Sequence, residues 1–193
     1  DIRPGKVYVD CTLGLGGHSF EILKLLNRDG ILIGLERDEN ALKIAKDRLK
    51  DFQNCYLFHA NFTELKNILR KLNIEKITGG VLLDIGINSL QLDDPSRGFS
   101  FKSSAKLDMR MDGSESLTAH KVINTYREDD LSEIIYKYGE ERFARRIAKS
   151  IVNKRAKNIQ INSTEELASI VLACYPKGKR FKIHPATRTF QAI

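Results

Sequence analysis

Apolar residues along the first half of the chain follow two alternating periods. Short runs rich in β-branched and aromatic residues fall at 7–12, 31–36, 55–60 and 80–85, and each reads as a strand. Between them the spacing lengthens to three and four. Phe20, Leu23 and Leu26 form the first such set, Leu42, Ala45, Leu49 and Phe52 the second, and Leu65, Ile68, Leu69 and Leu72 the third. Each is the stripe of an amphipathic helix. Asp38 and Thr63 stand where the second and third helices need N-caps, and Gly30 where the first ends. Three βα units followed by a fourth strand predict a parallel, doubly wound sheet. Val81-Leu82-Leu83 is apolar throughout, which predicts burial on both faces.

After Gly86 the pattern changes. Residues 87–113 have no clear period and are rich in Asp, Ser, Gly and Arg, so they read as a long functional loop. Their Phe99, Phe101, Leu107, Met109 and Met111 argue against disorder. Four helices follow without a strand, at about 117–125, 128–138, 140–154 and 164–175. Ser163 and Glu166 form a capping box for the fourth, and Pro176 stops it. This predicts an α/β domain at 1–113 and 184–193 and an all-helical insertion at 114–183.

Charge adds a partner. The 193 residues carry a formal net charge of +7, which favours an anionic partner. Arg142, Arg145, Arg146 and Lys149 fall at i, i+3, i+4 and i+7, one stripe on the third helix, with Ala144, Ile147, Ala148 and Ile151 on the opposite side. Lys154, Arg155 and Lys157 extend the charge, and Lys177, Lys179, Arg180 and Lys182 form a second cluster. The stripe is a candidate RNA-phosphate surface. The plain alternatives are a solvated face, or partial neutralisation by Glu140 and Glu141. Three scattered cysteines and four histidines give no metal-ligand spacing, and the odd cysteine count suits a reducing cytoplasm. No stretch is apolar enough for a membrane span, and no partner membrane is expected.

The chemistry concentrates at Asp10-Cys-Thr-Leu-Gly14-Leu-Gly16-Gly17-His18-Ser19. A strand ending in an acid, then a glycine-rich turn, then a helix start places bare backbone N–H groups at the carboxyl edge of a sheet. Glu36 ends the next strand and can accept hydrogen bonds from both hydroxyls of a ribose. A dinucleotide fold wants a third glycine where Ser19 stands, which counts against an NAD-dependent oxidoreductase. The spacing Asp-x-x-x-Gly-x-Gly-Gly instead resembles the first motif of class I S-adenosylmethionine-dependent methyltransferases. An ordinary βα turn is the bland alternative.

Further motifs narrow the resemblance. Leu83-Asp84-Ile-Gly86 through Ser89-Leu-Gln91-Leu-Asp93, Arg97-Gly-Phe-Ser-Phe101, Leu107-Asp-Met-Arg-Met-Asp112, Tyr138-Gly-Glu-Glu-Arg-Phe143 and Thr187-Arg-Thr-Phe190-Gln-Ala occur in that order. Together they resemble the bacterial 16S ribosomal RNA cytosine-N4 methyltransferases, the MraW family, over essentially the whole chain. The resemblance implies a Rossmann-like class I domain with a helical insertion, S-adenosylmethionine as cofactor, and small-subunit ribosomal RNA as partner. It implies that Gly16, Gly17 and His18 line the methionine side of the cofactor, Glu36 its ribose and Phe62 its adenine, with Asp84 and Gln91 completing the pocket. Phe62 as core, His18 as an ordinary first-turn residue and Gln91 as a turn cap are the competing explanations. A carboxylate after so apolar a strand predicts a buried Asp84 with a partner. Asn88 and Ser89 are the candidates to hold the target amine, because the Asn/Asp-Pro-Pro-aromatic motif of many amine methyltransferases is not present there. The first strand starts within a few residues of the chain start, and the later strands of a class I domain are not in the sequence. The expectation is therefore a part of a longer protein. A non-catalytic RNA-binding protein stays open beside the enzyme.

Overall fold

The computed structural model describes residues 1–101, 104–176, 178 and 181–193. They form two compact units, one of 1–88 with 111–113 and one of 89–110 with 114–193.

The first unit is the sheet. β1 (Lys6–Asp10), β2 (Gly30–Glu36), β3 (Cys55–His59) and β4 (Gly80–Leu82) are all parallel, in the order β3-β2-β1-β4. Successive residues of a strand face opposite sides, and two cores result. Tyr8 and Leu32 pack with Leu23 and Leu26 of α1 (Gly17–Leu26) and Leu42 and Ala45 of α2 (Glu39–Arg48). Val9, Ile33 and Leu35 pack with Ile68 of α3 (Leu65–Lys71) on the other side. The sheet is doubly wound, as the alternation of periods predicts.

Local chemistry moves several boundaries. Asp38 caps α2, accepting from the Asn40 and Ala41 N–H groups at 3.0 and 3.4 Å. Thr63 is not a cap. Asn61 instead caps a 3-10 turn at Phe62–Glu64, in a reciprocal box with Glu64, and α3 starts after it. Asn27, at φ 45°, ends α1, whereas Gly30 opens β2. The expected burial of 81–83 does not hold. Among the described residues β4 has a strand partner on one side only, and Val81, Leu83 and Ile85 are 55%, 48% and 77% exposed. A continuous apolar run is buried on both faces only when it lies inside a sheet.

The second unit is helical. α5 (Ala119–Thr125), α6 (Glu128–Gly139), α7 (Ala144–Arg155), α8 (Thr164–Ala173) and α9 (Ala186–Ala192) enclose a core containing Ile123, Leu131, Ile135, Ile147, Ile151 and Val171. The expected loop 87–113 contains a short helix, α4 (Ser89–Asp93), and a 3-10 turn at Pro95–Arg97 capped by Asp94. Elements this short leave no readable period. Residues 184–193, expected with the α/β domain, supply Ala186 and Phe190 to the helical core, and 89–110 also belong to this unit.

Two of the sequence motifs meet here. The Met109 N–H donates to the Arg97 carbonyl at 3.0 Å, and Arg97 Nη2 donates to the Arg110 carbonyl at 2.9 Å. Arg110 grips Asp108 through Nε and Nη2, each 2.7 Å from a carboxylate oxygen. That grip holds the Asp108 carboxyl below the usual range. Gly98 has φ +73°, and a side chain there would overlap the Lys106 carbonyl oxygen.

Candidate functional site

The turn after β1 is tied to the neighbouring strands by its backbone. Cys11 N–H donates to the Leu82 carbonyl and Leu13 N–H to the Leu35 carbonyl, both at 2.9 Å. Gly16 caps α1 at φ +79°, and an added Cβ would stand 3.3 Å from both Ala45 of α2 and Leu49 just beyond its end. Glycine therefore serves both the left-handed turn and the close approach. Gly17 and His18 follow it, exposed, on the first turn of α1.

Glu36 organises this turn. Its Oε2 accepts the Gly14 N–H at 2.7 Å and its Oε1 the Asp38 N–H at 2.8 Å, with the residue 8% exposed. Each carboxylate oxygen keeps lone-pair capacity after these bonds. The β3 exit lies beside it, because the Ala60 N–H donates to the Glu36 carbonyl at 3.0 Å. Phe62, two residues on, is 44% exposed, which removes the explanation of Phe62 as core.

Asp84 differs from expectation. It is exposed, with its backbone N–H donating to Thr12 Oγ1 at 2.7 Å, so the turn after β4 is joined to the turn after β1. Its place beyond the edge strand β4 explains the exposure. The acid buried beside this turn in its place is Asp10, which belongs to the glycine-turn motif but not to the expected site residues. It is fully buried and accepts from Ser19 Oγ at 2.7 Å and from the Thr12 N–H at 3.1 Å. Desolvation pushes its carboxyl above the usual range, against the pull of the Ser19 and Thr12 hydrogen bonds and His18. The signal for it was present: the strand-terminal acid of the motif points into a fold whose next helix carries Ser19. Burial, and secondarily Asp10, also pushes the Cys55 thiol up to about 12 and raises that of Cys11, so neither is a nucleophile at neutral pH.

The remaining site candidates divide between the units. Asn88 is half-buried in the first. Ser89 is exposed at the start of α4, and Gln91 is buried in that helix at 3% exposure, both in the second unit. Among the described residues no three His, Cys, Asp or Glu side chains cluster as a metal site. No helix among them is long and apolar enough to cross a membrane.

On α7, Ile147, Ala148 and Ile151 are buried to 0% exposure, while Arg145, Arg146 and Lys149 are exposed on the other side. Arg142 precedes the helix, on the turn leading into Ala144, with its guanidinium 4.8 Å over the Phe143 ring. Glu141, one of the two carboxylates that the alternative reading gave to partial neutralisation, is engaged elsewhere. That fully buried carboxylate accepts from the Phe143 N–H at 2.8 Å and from the Tyr175 hydroxyl. Burial, then the Glu141 hydrogen bond, raises the Tyr175 phenol above its usual range. Among the described residues no ion pair joins the four stripe cations to a carboxylate. Arg155 is engaged elsewhere: its Nη1 and Nη2 donate to the Ile123 and Tyr126 carbonyls at 2.7 and 2.8 Å, closing the end of α5. Lys177, Lys179 and Arg180 of the second basic cluster lie outside the described residues.

The sequence profile of the MraW methylase family matches residues 1–193. The chain belongs to that family. Proteins named ribosomal RNA small subunit methyltransferase H are similar to it over nearly its full length. The one from Clostridium botulinum strain Kyoto is 49% identical over all 193 residues, which cover 62% of that relative. Those from Caldicellulosiruptor bescii and Sulfurihydrogenibium sp. are 48% and 52% identical, with 99% and 98% of this chain and 61% and 64% of theirs aligned. The chain thus spans somewhat under two thirds of the relatives' length. For an MraW member, the fold is the class I methyltransferase sheet.

Proposed function

We propose that the protein is an S-adenosylmethionine-dependent methyltransferase acting on the N4 amine of a cytidine in small-subunit ribosomal RNA, in the cytoplasm. One observation carries the reading. Glu36 holds the Gly14 turn through Oε2 and the β2 exit through Oε1 while keeping acceptor capacity at the sheet's carboxyl edge. That is the chemistry a nucleoside's ribose hydroxyls need, and it sits where α/β sheets bind such ligands. Family membership favours S-adenosylmethionine over NAD, and Ser19, committed to Asp10, occupies the position of the third dinucleotide glycine.

In this reading Gly16, Gly17 and His18 bind the methionine portion, Glu36 the ribose and Phe62 the adenine, with Asp84 contributing at the turn after β4. When bound, S-adenosylmethionine supplies a methyl group activated by its sulfonium. The residues of the chain bind and orient rather than provide a nucleophile. The cytosine amine is a poor nucleophile because its lone pair is delocalised into the ring. Asn88 and Ser89 accept its hydrogens and direct that lone pair outward. The stacked base of an RNA helix is inaccessible to such a site, so the target is single-stranded or flipped out. We assign cofactor binding to the sheet unit, and RNA recognition to the helices through Arg142, Arg145, Arg146 and Lys149.

Calorimetric titration of the full-length protein with S-adenosylmethionine and with NAD, followed by mass spectrometry for N4-methylcytidine in treated 16S ribosomal RNA, tests the assignment. Binding of the former and methylated cytidine are expected. NAD binding instead identifies an oxidoreductase, and RNA binding without methyl transfer a non-catalytic RNA-binding protein.

A further inference from the structure

The helical unit contains a cavity of about 460 Å³ that the cofactor chemistry does not use. Its wall includes Arg142, Tyr175, Phe181, Lys182, His184 and Arg188, and no carboxylate lines it among the described residues. The size falls within the range of small-ligand sites, about 300–1,000 Å³. Three aromatic rings run edge to face beside it, with centroids 4.7 Å apart for Phe143 and Tyr175 and 5.3 Å for Tyr175 and Phe181. Buried Glu141 fixes this wall by accepting from both the Phe143 N–H and the Tyr175 hydroxyl. Arg188 is braced by its Nη1 donating to the Glu140 carbonyl at 3.2 Å. A neighbouring cavity of about 660 Å³ is mixed in charge, with Glu128, Asp129 and Glu133 beside Arg142 and Arg145. The first cavity differs in having an aromatic wall with cations around it and no carboxylate among its described lining residues.

That combination is complementary to a planar base with a phosphate attached. Arg142 belongs both to this cavity and to the approach to α7, whose exposed cations Arg145, Arg146 and Lys149 follow it. A strand tracking that face reaches the cavity at Arg142. We propose that the cavity takes one unpaired nucleotide of a single-stranded RNA, its base against Phe181 and Tyr175 and its phosphate at Arg142 and Arg188. This rests on the RNA-binding reading above and locates an anchoring site within it.

Fluorescence anisotropy of the full-length protein with a short labelled single-stranded RNA tests the site. Stacking on an aromatic side chain gives Phe181→Ala an expected loss of about fivefold or more in affinity. Its salt dependence should stay unchanged, and Phe181→Trp should retain affinity. An RNA made abasic throughout should bind Phe181→Ala and the parent protein alike. The control is the triple variant Arg145→Gln, Arg146→Gln, Lys149→Gln. If it flattens the salt dependence while Phe181→Ala binds like the parent, the cavity proposal is overturned and the RNA-binding reading stands. If the parent protein binds no RNA, the reading itself fails, and the cavity with it. An equal loss on abasic RNA also overturns the proposal, because the wall would then act without stacking.

Discussion

Glu36 is a structural clamp as well as the proposed ribose acceptor, and the two roles separate experimentally. Removing its carboxylate deprives the Gly14 and Asp38 N–H groups of their partner. It also removes charge-assisted hydrogen bonds to the ligand. Glu36→Ala is expected to weaken S-adenosylmethionine binding by one to two decades, about 1.5–3 kcal/mol, and to lower the melting temperature. Glu36→Gln, which keeps one acceptor oxygen, should fall between. An alanine variant that melts early but binds normally would reduce Glu36 to a clamp. Asp10 makes a second prediction, in pH. Its carboxyl is raised above the ordinary 3.8, so the folded state holds the proton more tightly than the unfolded chain. Stability from this group is therefore lost as pH rises from 3.8 through the folded value. Asp10→Asn has no such loss. Denaturant unfolding should show the variant gaining on the parent between acid and neutral pH, and a pH-independent difference would refute the burial argument.

At the scale of elements, the Arg97–Phe101 and Leu107–Asp112 motifs owe part of their specificity to each other rather than to substrate. Gly98 needs its positive φ and lacks space for a side chain against Lys106. Gly98→Ala is expected to cost about 2 kcal/mol or more, read as a lower midpoint in denaturant. Unchanged stability would mean the two segments separate easily. The Asp108–Arg110 grip adds a pH dependence of the opposite sign to that of Asp10. The Asp108 carboxyl is lowered chiefly by the Arg110 hydrogen bonds, so its stabilisation is present above 3.8 and fades as pH falls through the folded value. The parent's advantage over Asp108→Asn should shrink in acid. Elsewhere the same scale explains the missed boundaries. Asn61 outcompetes Thr63 as a cap because its side chain and Glu64 satisfy each other's backbone reciprocally.

For the whole molecule, a net charge of +7 matters less than its placement. The exposed cations of α7 stand opposite a fully buried apolar side, so they can be replaced without disturbing the core. If about three of Arg142, Arg145, Arg146 and Lys149 each neutralise a phosphate, converting all four to Gln should flatten the slope of log K against log salt by about 2, at about 0.7 per phosphate on a single strand. Cofactor affinity should not change. An unaltered slope would leave the stripe a solvated face.

Sequence alone determined the local order of this protein. Short apolar runs marked β1 to β4, and spacings of three and four marked α1 to α3 and α5 to α8, because burial writes itself into neighbouring residues. The glycine turn and Glu36 were readable for the same reason, being short segments with fixed spacing. Tertiary structure decided the rest. Whether Val81-Leu82-Leu83 is central or at an edge depends on which strands flank it. Asp84 is joined to Thr12 across 72 residues and Tyr175 to Glu141 across 34, and no periodicity encodes such pairs. The same holds for Arg155 closing α5 and for Phe190 joining the helical core. A side chain's type limits what it can do, but the partner that folding brings to it selects which of those things it does.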